Sequence, residues 1–144
     1  MGLITDVRAG CVTLLEGIRS ADPTLLGDIT SARPASFSLG LPAAYVGDLR
    51  PGLAYINSLC QRTGTEQDIV LVFSTFDNEE MQAKADTLTQ AVLDAVALSP
   101  HFIHANSVAE VTRVRVATEL DSNGTSYPAV VITVGRITYL EGGY

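Results

Sequence analysis

The chain is short of basic residues and gathers them nowhere: 9 Lys and Arg stand against 16 Asp and Glu, for a formal net charge of -7. A nucleic-acid binder draws most of its affinity from phosphate contacts and shows a basic face. The balance therefore points away from that class. Long apolar runs are also missing. The longest, such as Ile69 to Phe73, falls far short of the roughly 20 residues that cross a bilayer, so no membrane span is expected. The opening stretch MGLITDVRAGCVTLLEGI places Asp6 and Glu16 inside its apolar pattern and does not read as a secretory signal. Met1-Gly2 lacks the Ser or Thr at position 6 that myristoylation needs, because Asp6 stands there.

Cysteine and histidine are equally scarce, and each scarcity removes a class of chemistry. Cys11 and Cys60 are too few for a disulfide scaffold and form no C-x-x-C pair for zinc or redox work. They read as small core hydrophobes of a protein made in a reducing cytoplasm. His101 and His104 are the only histidines. Their H-x-x-H spacing would suit two metal ligands on a helix, but they follow Pro100 in an expected loop with no Glu or Cys close by, so no metal site is expected. No G-x-S-x-G elbow, G-x-x-x-x-G-K-[ST] loop or G-x-G-x-x-G turn occurs, and Cys11 falls on the apolar side of a helical pattern. No catalytic residue and no cofactor-binding residue can be named. Asn123-Gly124-Thr125 matches a glycosylation acceptor but reads better as a turn.

What is present suits one folded unit. The 144 residues are 47% hydrophobic with a mean hydropathy of +0.25, enough to bury a full core in a single domain spanning 1–144. Ile4, Val7, Cys11, Leu14 and Ile18 recur at spacings of three and four, which predicts a helix from about Leu3 to Ser20, ended by Asp22-Pro23. Phe37, Leu39, Leu41, Ala43 and Tyr45 alternate, the pattern of a strand with one buried face; Pro42 within it predicts an edge position or a bulge. GDLRPG at 47–52 reads as a turn, and Leu53 to Gln61 as the returning strand. After a loop at 62–65, Ile69 to Phe73 is apolar at every position, as in a central strand covered on both sides.

The stretch IVLVFSTFDNEEMQAK then breaks from apolar residues into carboxylates. Such a break can mark metal ligands or a general base at the end of a strand. Met81, Ala85, Leu88, Val92 and Ala95 follow at helical spacing, however, so the acids read as a helix start: Asp77 as N-cap, Glu80 three residues on as in a capping box, and Glu79 and Glu80 at the positive end of the dipole. Ser99-Pro100 stops that helix. Val108 to Leu120 and Tyr127 to Leu140 form a closing hairpin around Asn123-Gly124, and the apolar phase changes between Val111 and Val114, which predicts a bulge or a partner on the other face. The expected fold is α+β, with a mainly antiparallel sheet, two helices and the order α-β-β-β-α-β-β.

Two places read as candidate contacts with other subunits. Asp48, Leu49 and Arg50 fall in the predicted turn, where an arginine beside apolar residues suits an interface anchor. Arg113 and Arg115 share one face of a strand, either solvated and balanced by Glu110 and Glu119 or facing a neighbour.

The order of elements, with SFSLGLPAAYVGDL, IVLVFSTFDNEEMQAKADTLTQAVLDAV and the closing AVVITVGRITYLEGGY, resembles the tail terminator and tail-completion proteins of long-tailed bacteriophages over nearly the whole chain. The resemblance implies a structural virion protein: a homohexameric ring, assembled in the host cytoplasm, that sits at the head-proximal end of the tail. It would cap the tube, stop its polymerisation and join the tail to the head-completion or connector protein. The partners implied are other copies of the chain, the tail tube protein and that connector, with DNA passing through without specific binding, which an acidic balance suits. The family has no catalytic residues and no cofactor, so none is carried over to a position here. A head-to-tail connector or neck component is the nearest alternative, and a small cytoplasmic enzyme or ligand-binding α+β domain the more distant one.

Overall fold

In the computed structural model, which describes residues 3–37, 41–50, 54–55, 61–103 and 107–140, two helices pack on one face of a mainly antiparallel sheet. In chain order the elements are α1 (Leu3–Ala21), β1 (Ile29–Thr30), β2 (Ala43–Arg50), β3 (Ala54–Tyr55), β4 (Gln61–Val72), α2 (Glu79–Leu98), β5 (Ser107–Leu120) and β6 (Ser126–Leu140). The α+β class and the order of helices and strands are as the sequence predicts, with the two-residue β1 added. The sheet runs β1-β2-β4-β6-β5, and β3 pairs with β4 off that path. Only the β1–β2 pairing is parallel.

The helical layer follows from the apolar stripes. Val7, Cys11 and Leu15 of α1, and Ala85, Leu88, Val92 and Val96 of α2, are buried against Ala44, Val46, Ile69, Leu71, Ile132 and Val134 of the sheet. Val96 finishes the α2 stripe and Ala95 is only half-buried. Each of the larger buried side chains contributes roughly 1.5–3 kcal/mol relative to exposure. Gly10 lets α1 approach the loop after α2: a Cβ there would stand 2.8 Å from the Ile103 Cα and 2.9 Å from the Phe102 carbonyl oxygen, both backbone.

The helix starts differ from expectation at one residue. Asn78, not Asp77, is the N-cap of α2: its backbone is extended and its Oδ1 accepts from the Met81 amide at 2.8 Å. Asp77 instead donates its backbone N–H to the Thr75 hydroxyl oxygen, 3.0 Å away. With the cap at 78, the residue three positions on is Met81, so the expected Asp77–Glu80 capping box is not formed; Glu79 and Glu80 still sit in the first turn, where the dipole favours them. Both residues are cap formers, and the local pattern does not choose between them.

The middle of the chain departs further. The strand placed at 37–45 is β2, shifted to Ala43–Arg50, and Pro42 precedes it. The 47–52 turn is thus a strand as far as Arg50, and 51–53 lie outside the described residues. Of the returning strand at 53–61, only Ala54–Tyr55 and Gln61 are described as strand; Cys60 lies outside. The loop at 62–65 belongs to β4, which starts eight residues before Ile69. Phe37, Leu41 and Tyr45 do share one face as the alternation implies, in a second cluster with Val70, Val72, Ala129 and Val131 on the side of the sheet away from the helices. There the segment after β1 acts as cover. Phe37 stacks on Tyr45 at 6.1 Å and meets Tyr127 edge-on at 5.6 Å, and the Ala35 carbonyl accepts from the Ser122 amide at 2.9 Å.

The closing hairpin is as expected. Asp121 Oδ1 accepts from the amides of Asn123 and Thr125, and Gly124 takes a φ of 80° that side chains other than glycine rarely adopt. The predicted change of phase is a bulge: Val111 pairs with Val134 but Arg113 with Thr133, leaving Thr112 extra. Gly135 faces it. A Cβ there would lie 2.7 Å from Thr112 Cγ2, so glycine makes the room for the bulged residue.

Two stability tests follow. Asn78→Ala is expected to cost about 1 kcal/mol in chemical denaturation while Asp77→Ala stays within about 0.5 kcal/mol, reversing the order that the sequence suggests. Gly135→Ala is expected to lower the unfolding free energy by about 1–3 kcal/mol through overpacking, and Thr112→Gly in the same chain to restore part of the loss.

Candidate functional site

The residues that could carry function sit where β4 turns polar. Thr65, Gln67 and Asp68 are buried, as is Thr133 of β6, although four polar groups in one region of a core are costly unless bonded. Asp68 accounts for most of the bonds. Its carboxylate accepts from both terminal nitrogens of Arg50 on β2, at 2.9 and 3.0 Å, and from the Thr133 hydroxyl on β6 at 2.8 Å. One side chain therefore ties three neighbouring strands. Arg50 also reaches Glu66 at 3.2 Å.

Gln67, on the helix side of β4, does the complementary task. Between Val46↔Ile69 and Leu49↔Gln67 the register shifts by one, so Gly47 and Asp48 together oppose Asp68. Carbonyls freed by this bulge need donors, and Gln67 Nε2 lies 3.0 Å from the Gly47 oxygen and 3.2 Å from the Asp48 oxygen. Its own Oε1 is buried without a hydrogen bond.

On the face away from the helices these groups border a notch of about 230 Å³, whose polar rim is formed by Arg8, Arg33, Asp48, Asp68, Arg115 and Glu119, with Tyr45, Val70 and Val131 beneath. Arg33 holds Glu119 at 3.4 Å and also bonds the Leu120 carbonyl, while Arg8 donates to the Ser31 carbonyl at 2.7 Å. Burial alone would raise the Asp68 pKa, but the bonds from Arg50 and Thr133, with the charges of Arg50 and Arg115, hold it below the usual carboxylate value. Arg50 is held more firmly protonated, chiefly by its bond to Asp68. Burial, then the neighbouring Glu119 carboxylate, raises the Tyr45 phenol above its ordinary value.

Such a constellation binds charge to charge and offers little to bond-making chemistry. Asp68 is a weak base with its oxygens already occupied, and the Tyr45 phenol stays protonated at neutral pH. On the helix side, burial pushes the Cys11 thiol up to about 12, so it remains a protonated core group. His101 is exposed in the turn after α2, and His104 lies outside the described residues. Among the described residues no group of three His, Cys, Asp or Glu side chains is placed to hold a metal, and no helix is long and apolar enough to cross a membrane.

The five interface candidates separate. Asp48 and Arg115 come together at the notch, and Arg50 stands beside it. Leu49 does not belong with them. The bulge turns it to the helix side, where it packs partly buried against the main core, and residues 47–50 are strand where a turn is expected. Arg113 is exposed one pair along from Arg115, outside the notch. Glu119, assigned as a counter-charge to the strand arginines, belongs to Arg33 instead. Asp68, Gln67 and Thr133 escaped the sequence reading. Their signal was the run Thr65-Glu66-Gln67-Asp68 entering the apolar strand without a turn residue between them.

The linkage between Asp68 and stability has a definite sign. Its folded pKa is lowered, so the stabilisation is complete above the unfolded carboxyl value of about 3.9 and disappears as pH falls through the folded value. Asp68→Asn is therefore expected to lose about 1–3 kcal/mol at pH 7 in urea denaturation, and its difference from the native chain should close below about pH 4. A difference that is the same at pH 7 and pH 3 would show that the carboxylate charge is not what ties the strands. Neither models of known protein families nor curated proteins give a match to the chain.

Proposed function

We propose that the protein is a structural subunit of a phage tail: a homohexameric ring that caps the tail tube, stops its polymerisation and presents the docking surface for the head-completion protein. The whole-chain resemblance suggests the reading, and the observation that carries it is the state of the sheet's β5 edge. β5 is 14 residues long and, among the described residues, pairs on one side alone, with β6, and it exposes Val108, Val114, Val116 and Leu120. A long apolar edge of this kind is a liability in an isolated chain and an asset in one that meets neighbours. Closed rotational symmetry covers such surfaces without open-ended growth.

The notch supports the same reading from another side. Its arginines and carboxylates are spent largely on one another and on carbonyls, which holds strands in place and leaves a rigid mixed-charge surface. A subunit needs that rigidity, since a ring terminates a tube only when its far face differs from the tube protein and keeps its shape.

Native mass spectrometry of the chain with tail tubes, and electron microscopy of particles, test this directly. A species of roughly 90 kDa, six times the 15.2 kDa chain, and a single ring of density at the head end of the tail are expected. Density within the neck but above the tail would favour the connector role. Absence from the particle, or tails of normal length joined to filled heads without the gene, would overturn the proposal.

A further inference from the structure

The β5 edge also has a chemistry that says what kind of strand it accepts. From Arg113↔Thr133 to Leu120↔Ser126 the pairing with β6 runs without a register break, both breaks lying earlier, near Ala109 and Thr112. This eight-residue window, RVRVATEL, contains no proline or glycine. Among the described residues no strand lies on its outer side, and the Leu120 carbonyl at its far end is taken by Arg33.

The two faces of the window differ. Toward the helices, Val114 and Val116 are 44% and 72% exposed, and they line a groove of about 570 Å³ with Phe76, Ala85 and Val130. On the other face stand Arg113 and Arg115, both exposed and neither in an ion pair with a described residue. Arg115 leans over the notch and acts on Asp68, while Arg113 is free of it. Two exposed arginines on one face of an edge strand, neither in a salt bridge among the described residues, are a selective feature on a chain of net charge -7. Edge charges that merely discourage aggregation would not leave the valines of the other face open beside a groove.

We infer that the outer edge of β5 takes an added strand from a protein partner in which apolar residues alternate with Glu or Asp. The backbone of that strand would complete the unpaired N–H and C=O row, its apolar residues would enter the groove beside Val114 and Val116, and its carboxylates would lie across from Arg113 and Arg115. A second copy of β5 is the wrong occupant. Antiparallel pairing centred on Val114 would put each Arg113 opposite an Arg115, and Glu119 is already held by Arg33. The inference concerns the isolated chain and holds whether or not that chain caps a tail.

Two capped ten-residue peptides test it, one alternating valine or threonine with glutamate and the other with lysine in place of glutamate. The acidic peptide is expected to bind saturably by fluorescence anisotropy, about tenfold more tightly than the basic one, since each opposite-charge pair in a sheet is worth a factor of roughly two to five. Hydrogen exchange should show new protection confined to 113–120. Arg113→Glu, away from the notch and exposed, should keep the native circular dichroism and narrow or invert the preference, and Arg113→Lys should restore it. No binding, equal binding of the two peptides, a preference unmoved by Arg113→Glu, or protection elsewhere would overturn the inference. So would a symmetric dimer cross-linked from β5 to β5 without peptide, which would mean that the edge pairs with itself; a ring contact is heterologous and would not give it.

Discussion

The carboxylate of Asp68 is the point on which the middle of the sheet depends. It lies on β4, the middle strand of the sheet, and bonds outward to Arg50 on β2 and to Thr133 on β6. A buried ion pair is not by itself a strong source of stability, because desolvation offsets much of the attraction. Here Asp68 is only 7% exposed while Arg50 is 40% exposed, so the arginine keeps part of its hydration and the cost is reduced. What the pair supplies is position. It can form in one register only, and that register contains the Gly47–Asp48 bulge.

The bulge decides which residues face which way. Side chains in a strand alternate, so one extra residue brings Val46 and Leu49 to the same side, against the helices, and leaves Asp48 on the other. Gln67 makes the arrangement tolerable by donating to the carbonyls that the bulge frees. On the far side of the sheet the bulge at Thr112 repeats the device, with Gly135 yielding the space. Between these two bulges the sheet presents a polar notch on one face and, at β5, apolar side chains beside a groove on the other.

This division bears on function. At the notch Asp68 is bonded by Arg50 and Thr133 and held below the usual carboxylate range, and the Tyr45 phenol is pushed up, so neither of these two has unmet bonding capacity near neutral pH. Assembly needs rigid surface with unmet apolar and backbone capacity, and the β5 edge has both. The proposed ring and the proposed acidic strand use that same capacity, though they do not depend on each other.

The sequence by itself determined the parts that are local. Val7, Cys11 and Leu14, and Ala85, Leu88 and Val92, repeat at the helical period strongly enough to place both helices, and Asn123-Gly124 with the Val111–Val114 phase change placed the closing hairpin and its bulge. These patterns need only neighbours along the chain. Tertiary structure decided the rest. Whether Asp77 or Asn78 caps α2 depends on how the chain leaves β4, and Thr65 to Asp68 could be read as a strand only by seeing the partners that satisfy them. Leu49 looked exposed because it follows Gly-Asp and precedes Arg-Pro-Gly, all turn residues; it is in the core because Arg50 finds a carboxylate across the strand. Polar residues announce turns locally but enter sheets when a distant partner meets their bonds, and that partner is 18 positions away for Arg50 and 65 for Thr133.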